Sequence, residues 1–168
     1  MKLDMQEPKC IWWAWPRKLC ALERPGGGGR SHRPDRRAAE VAYLKARGVR
    51  LIVSVMGSRH NLAGYEAAGL DWHHAPLPAD QTGVVATFDE LELMLRHELR
   101  RSGAVAVHGD SRTDFVAALC AALLCDARRV DARIGLARAA RAGLTVTPEA
   151  CALVGVKPRE FELALKSA

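Results

Sequence analysis

The sequence predicts an α/β fold with a mainly parallel central sheet and helices on both faces. From residue 38 onward, short runs of β-branched and other apolar residues alternate with segments of helical periodicity, a pattern typical of parallel sheets. The 168 residues are 49% apolar, which suits a sizeable core and argues against a disordered chain. We therefore expect residues 1–168 to form one domain.

The first strands are predicted in residues 11–23, where the apolar run is interrupted at Pro16. The tryptophans in residues 11–15 predict packing at an edge of the sheet. The alternative for the same cluster is an aromatic platform for single-stranded nucleic acid.

A basic, glycine-rich loop follows at residues 25–37. Its run of glycines lacks both the preceding apolar strand and the following Gly-Lys-Ser/Thr of a phosphate-binding loop, so we interpret the segment as a flexible linker. Its arginines could form a basic rim beside an anion site, and the alternative is a solvated loop. The residues concerned are Arg30, Arg33, Arg36 and Arg37.

The remaining elements follow from apolar periodicity and from residues that begin and end helices. Asn61 is predicted to cap one helix, and Thr147 precedes a proline that begins another. Thr87 to Glu90 matches a capping box and predicts a helix start there, with residues 76–83 as loop. The predicted helices are 38–47, 61–69, 88–101, 131–141, 148–154 and an amphipathic one at about 158–167, and the predicted strands are 49–55 and 70–75.

One segment organises the rest of the chain. Residues 104–108 predict a buried strand, residues 109–111 a tight turn, and residues 112–124 a long apolar helix. A strand that enters a helix through a tight turn presents backbone N–H groups and the positive end of the helix dipole to an anion. The segment is therefore a candidate site for a phosphorylated or other anionic ligand.

The ends of this turn resemble the phosphate loop of the cysteine-dependent protein phosphatases, the dual-specificity and tyrosine phosphatase family. That motif runs His-Cys-x5-Arg-Thr/Ser, and its ends match His108 and Arg112-Thr113. The resemblance extends over residues 12–154, with further matching segments at 48–55, 68–78 and 138–149. It implies the dual-specificity-phosphatase fold, and it implies that the phosphate loop is formed by His108, Gly109, Asp110, Ser111, Arg112 and Thr113.

The sequence departs from the family pattern where the chemistry takes place. In the family a cysteine thiolate attacks phosphorus, an arginine binds two phosphate oxygens, and an aspartate protonates the leaving oxygen. Here Gly109 follows His108, the loop is three residues shorter, and none of the five cysteines lies in it. Asp110 adds a carboxylate where the dianion would bind, and the acid position falls at Ala79, one residue before Asp80.

We therefore interpret the chain as a degenerate phosphatase-like domain, a pseudophosphatase that binds an anionic ligand or a protein partner. In this interpretation Ser111 to Asp114 form a capping box, and Asp110 pairs with Arg112 as an internal substitute for phosphate. The first alternative is an active phosphoric monoester hydrolase in which Ser111, activated by His108, attacks, Arg112 binds phosphate and Asp80 is the acid. The second is a basic nucleic-acid-binding protein.

The net charge and the residue types indicate which classes of partner and ligand the chain can bind. The formal net charge of +6 favours anionic partners in general, and nucleic acid is the least favoured of them. His73 and His74 are adjacent in a strand and face opposite sides, so we predict no metal site and no cofactor. The five cysteines show no C-x-x-C spacing, so we expect reduced thiols. No apolar run approaches the roughly 20 residues of a membrane span, so we expect a cytoplasmic protein without membrane contact.

Overall fold

The sheet has five strands and is mainly parallel, as predicted. The computed structural model describes residues 4–167. The strands lie in the order β1-β2-β5-β3-β4, and only the β1–β2 pair is antiparallel among them. Their bounds are Ile11–Trp15 (β1), Leu19–Glu23 (β2), Val49–Ser54 (β3), Asp71–His74 (β4) and Ala104–Gly109 (β5).

Helices cover both faces of this sheet, which confirms the predicted architecture. The central strand β5 alternates its side chains between two cores: Val105 and Val107 face one, Ala104 and Ala106 the other. The first two helices pack on the alanine side, and the third to sixth pack on the valine side. The helices are Pro34–Ala46 (α1), Leu62–Ala67 (α2), Gln81–Glu98 (α3), Thr113–Arg128 (α4), Ala132–Arg141 (α5), Pro148–Leu153 (α6) and Pro158–Ser167 (α7), and a 3-10 turn spans Gly29–Ser31.

The predicted start of α3 is wrong. Asp80 caps this helix, since its Oδ1 atom accepts from the Gly83 N–H at 2.7 Å. Thr87 lies inside the helix, where its hydroxyl donates to the Gly83 carbonyl at 2.9 Å. Val84 and Phe88 are both buried. This burial stabilises the helical turns that precede Phe88. The capping box predicted that the helix would begin at Phe88, and it begins seven residues earlier, at Gln81.

The glycine-rich loop is packed rather than a flexible linker, which corrects a second prediction. Residues 25–27 are buried. The Gly26 N–H donates to Oε2 of Glu40 at 2.7 Å, and the Arg36 guanidinium donates to Oε1 of the same carboxylate at 2.6 Å. Glu40 is itself buried, and a buried carboxylate requires such partners. The loop is therefore fixed against α1, which begins at Pro34, four residues before the predicted start.

The tryptophans of β1 pack at the edge of the sheet, as predicted. Trp12 is buried in the core on the valine side, and the half-buried Trp13 packs against the core on the alanine side. The Arg128 guanidinium covers the half-buried ring of Trp15, 5.5 Å from its centre. These rings therefore do not form a shared open platform for nucleic-acid bases. Within residues 4–167, no helix combines the length and the apolar character that crossing a membrane requires.

Candidate functional site

A cleft of about 290 Å³ lies where the parallel strands end. The carboxyl ends of parallel strands meet at one edge of the sheet, and binding clefts of α/β proteins form there. His74 at the end of β4 fixes one wall, because its Nε2 atom lies 2.8 Å from the Met56 carbonyl oxygen. The lining comes from the segments that follow three strands: Val55, Met56, Gly57 and Ser58 after β3, Leu77 and Pro78 after β4, and Asp110, Ser111 and Arg112 after β5.

The turn between β5 and α4 leaves little space for a side chain at Gly109. A Cβ atom built there would lie 3.0 Å from the Arg112 carbonyl oxygen and 3.3 Å from Cγ2 of Val55. The first of these neighbours is backbone, so it cannot move without opening the turn. Glycine after His108 therefore suits the short turn, and a cysteine there would strain it.

The carboxylate of Asp110 is held by the glycine-rich loop. Its Oδ1 atom accepts from the Gly29 N–H at 3.0 Å, and its Oδ2 atom lies 3.9 Å from Nη1 of Arg24. The loop approaches so closely that a Cβ at Gly28 would lie 2.7 Å from Oδ1 of Asp110. The predicted Asp110–Arg112 pair is therefore wrong: the cation beside Asp110 is Arg24, which directly follows β2.

Arg112 pairs instead with Asp114, at the start of α4. Its Nε atom donates to Oδ1 of Asp114 at 3.0 Å, and the Thr147 hydroxyl donates to Oδ2 at 2.8 Å. Both oxygens of this buried carboxylate are thus engaged, and the N-cap of α4 is Arg112, without a side-chain cap. The predicted capping box from Ser111 to Asp114 is wrong, because the contact with α6 uses the carboxylate that the box required.

Behind the turn, a chain of buried hydrogen bonds joins Arg24 to His108. The Nε and Nη2 atoms of Arg24 each donate to Oδ1 of Asn61 at 3.2 Å. The Asn61 amide donates to the Tyr65 oxygen at 2.9 Å, and the Tyr65 hydroxyl lies 2.9 Å from Nε2 of His108. Burial raises the pKa of Tyr65, so its hydroxyl keeps its proton.

His108 is a neutral, fully buried residue rather than a base within the cleft. Burial lowers its pKa to about 3, and the positive charge of Arg24 acts in the same direction. Its Nε2 atom contacts the Tyr65 hydroxyl, and its Nδ1 atom has no hydrogen-bond partner within residues 4–167. In that same part of the chain no hydrogen bond joins His108 to Ser111, which is exposed at the turn.

Neither Asp80, the predicted acid, nor any cysteine within residues 4–167 lies in a reactive arrangement at the cleft. Asp80 uses its carboxylate to cap α3 and does not line the cleft. Cys125 is exposed near the end of α4, about 18 Å along the helix axis from Thr113. Burial raises the pKa of each of the remaining thiols, which disfavours their thiolates: Cys10, Cys20, Cys120 and Cys151.

Sequence reasoning missed three residues of this site: Arg24, Asn61 and Tyr65. One signal was present for Arg24, because it follows a predicted strand and therefore lies at the edge where the parallel strands end. Asn61 matched a helix cap and does stand at the N-cap of α2, but its side chain makes no cap hydrogen bond there. Within residues 4–167, no group of three or more His, Cys, Asp or Glu side chains is arranged to hold a metal ion.

Comparison with solved structures places this architecture among phosphatase folds. Human DUSP28 superposes with a TM-score of 0.64 at 19% identity, over 98% of this chain and 99% of that one. A Cys-to-Ser variant of P. aeruginosa TpbA in complex with phosphotyrosine gives 0.60 at 17%, over 95% and 92% of the two chains. PTPMT1 in complex with PI(5)P gives 0.62 at 13%, over 95% and 99%.

No protein-family model matches the chain, and no curated protein matches it in sequence. The structural likeness extends over nearly the whole chain at low identity, so it concerns the fold. The chain therefore has the dual-specificity-phosphatase-like fold that the sequence resemblance predicted.

Proposed function

We propose that this chain is a phosphatase-fold domain that lacks cysteine-dependent phosphatase activity and acts by binding. The observation that supports it most strongly is the turn from Gly109 to Arg112. The cysteine-dependent reaction needs a thiolate at the base of the phosphate loop. Glycine stands there, and a Cβ atom would lie only 3.0 Å from the Arg112 carbonyl oxygen, so a larger residue would strain the turn.

The carboxylate of Asp110 acts in this proposal as an internal anion. Its two partners, the Gly29 N–H and the Arg24 guanidinium, are groups of the kind that bind phosphate oxygens. A phosphate dianion entering the cleft meets this negative charge. At 4 Å the repulsion between two unit charges is about 1 kcal/mol in water and about 4 kcal/mol near a protein surface. Asp110 thus opposes tight binding of a free phosphate group.

Arg112 supplies the binding function that the cleft retains. Its Nε atom is engaged by Asp114, but within residues 4–167 its two Nη groups have no hydrogen-bond partner. The exposed hydroxyl of Ser111 lines the same cleft. TpbA and PTPMT1 were solved with phosphotyrosine and with PI(5)P. We therefore assign to this cleft a weak affinity for an anionic group, carried by a protein partner or a small ligand.

Two assays on the purified chain test the proposal together. We expect no hydrolysis of p-nitrophenyl phosphate above the buffer rate between pH 5 and 8. We also expect a small rise in melting temperature in tens of millimolar phosphate, sulfate or vanadate, because a ligand that binds only the folded state stabilises it. The Arg112→Ala variant should lose that rise.

Arg133→Ala is the matched control, because Arg133 is also a part-exposed arginine paired with an aspartate two residues away. It should keep the rise in melting temperature. Hydrolysis that disappears in Arg112→Ala or Ser111→Ala would contradict the proposal and support the active alternative. An unchanged melting temperature at every anion concentration would contradict the anion-binding part.

A further inference from the structure

A groove of about 520 Å³ runs between α1 and α2, on the alanine side of the sheet. Its lining is made of small and apolar residues from both helices. No carboxylate belongs to that lining, and both of its charged residues are cations, Arg37 and Lys45. The small residues are Ala38, Val41 and Ala42 of α1 and Gly64, Ala67 and Ala68 of α2 and its end.

The two cations are held in place at separate points of the groove. The Arg37 guanidinium lies against Gly64, where a Cβ atom would be 3.1 Å from its Nε. The Lys45 ammonium donates to the Ala68 carbonyl at the end of α2. Within residues 4–167 neither cation has a carboxylate partner. Because they are eight residues apart on α1, their Cα atoms are about 12 Å apart along the helix axis.

We infer that this groove docks an amphipathic helix of a partner protein that carries two carboxylates about two turns apart. Residues seven or eight apart on a helix are separated by about 10.5–12 Å, which matches the spacing of Arg37 and Lys45. Alanine and glycine in the lining allow the docked helix to approach near the short end of the usual 8–10 Å interaxial range. The two cations then select acidic helices, and the net charge of +6 accelerates their encounter.

This inference does not depend on the proposed function of the cleft. The groove is lined by α1 and α2, whereas the cleft is lined by the segments after β3, β4 and β5. A partner could occupy the groove whether or not the cleft binds an anion. The two sites are therefore tested by separate variants.

The test uses a fluorescently labelled, alanine- and leucine-rich helical peptide of about 18 residues, long enough to be helical alone. It carries glutamates at positions i and i+7, and a second peptide carries lysines there. We expect binding of the acidic peptide in fluorescence anisotropy, with NMR shifts concentrated in α1 and α2. The lysine peptide should bind at least about tenfold more weakly, which corresponds to about 1.4 kcal/mol.

Charge-reversal variants separate docking in the groove from general attraction to a basic protein. Arg37→Glu with Lys45→Glu should weaken binding at least tenfold. Lys157→Glu with Arg159→Glu changes the net charge equally at exposed positions and should weaken it less than twofold. Ala42→Trp fills the groove without changing charge and should abolish binding, while circular dichroism verifies that each variant is folded.

Three outcomes would overturn the inference. The first is equal weakening by the two charge-reversal pairs, which would show long-range attraction alone. The second is absence of binding by the acidic peptide at millimolar concentration. The third is concentration-dependent dimerisation of the chain that Ala42→Trp abolishes, which would assign the groove to a second copy of the chain.

Discussion

Two arginine–aspartate pairs flank the turn between β5 and α4. In one pair the arginine is the buried partner, and in the other pair the aspartate is. In the Arg24–Asp110 pair the cation is 7% exposed and the carboxylate 33%. In the Arg112–Asp114 pair the cation is 38% exposed and the carboxylate 7%. We infer that the buried member of each pair fixes the structure and that the exposed member is the one a ligand can replace or approach. The buried Arg24 of the first pair therefore requires a negative charge beside it. The exposed Arg112 of the second pair is free to contact an anionic ligand in the cleft.

Removal of the buried cation should have the largest effect. We expect Arg24→Met to lower the free energy of unfolding by about 2–3 kcal/mol, because the buried Oδ1 atom of Asn61 loses its charged donor. The variant leaves Asn61 without its two donors and Asp110 without its cation. Urea denaturation measures this loss.

The matched variant of the second pair is Arg112→Met. Because Arg112 is the exposed member, water can take its place, and Thr147 still donates to Asp114. We expect a loss of about 1 kcal/mol. Equal losses for the two variants would contradict the comparison between the pairs.

A cysteine at position 109 should not produce phosphatase activity. In Gly109→Cys the new Cβ meets the Arg112 carbonyl at 3.0 Å, and relief of such overpacking costs about 1–3 kcal/mol. We expect that loss in urea denaturation and no hydrolysis of p-nitrophenyl phosphate.

Gly57→Cys provides the control for this substitution. Gly57 lines the same cleft, and a Cβ there meets no atom within 4 Å. This variant should lose less than about 0.5 kcal/mol. Phosphatase turnover by Gly109→Cys that Arg112→Ala abolishes would show that the turn can open, against our account.

Strand β5 was predictable from the sequence, whereas the packing of the glycine-rich loop was not. The run from Ala104 to His108, followed by Gly109, was recognisable because apolar periodicity and glycine are local signals. The packing of the loop was not recognisable. It depends on hydrogen bonds from Gly26 to Glu40 and from Gly29 to Asp110, groups 14 and 81 residues apart in the chain.

Local signals also compete with one another, which explains the misplaced start of α3. Thr87 and Glu90 matched a capping box, but the helix in the structure is capped by Asp80. The earlier start is favoured because it buries Val84 in the core on the valine side of the sheet. That burial depends on residues distant in the chain, so it could not be inferred from the local sequence. In the site, Arg112 lies at the turn before α4. Its partner was misassigned, because the position of Thr147 beside Asp114 is set by tertiary packing.

The buried His108 should make stability depend on pH. Its pKa of about 3 in the folded chain lies below the ordinary value near 6.5. As pH falls below about 6.5, the unfolded chain takes up a proton that the folded chain does not. Stability is therefore full above that pH and decreases by up to about 1.4 kcal/mol per pH unit between 6.5 and 5, the range above most carboxylate titrations.

Histidine variants identify the source of this dependence in urea denaturation across that range. His108→Gln should remove most of the slope. His32→Gln should remove a smaller part, because burial also lowers the pKa of His32. His97→Gln is the control substitution at an exposed histidine. An unchanged slope in His108→Gln would contradict a neutral, buried His108.

The most direct test of the account concerns Asp110, the exposed member of the first pair. Asp110→Asn keeps an oxygen for the Gly29 N–H but removes the negative charge beside Arg24. We expect the variant to be less stable than the parent chain by about 1 kcal/mol in dilute buffer. Phosphate should then stabilise it more than the parent, with a gain of about 1.4 kcal/mol when phosphate is tenfold above its Kd. A melting temperature that rises equally with phosphate in both proteins would show that Asp110 does not take the place of an external anion.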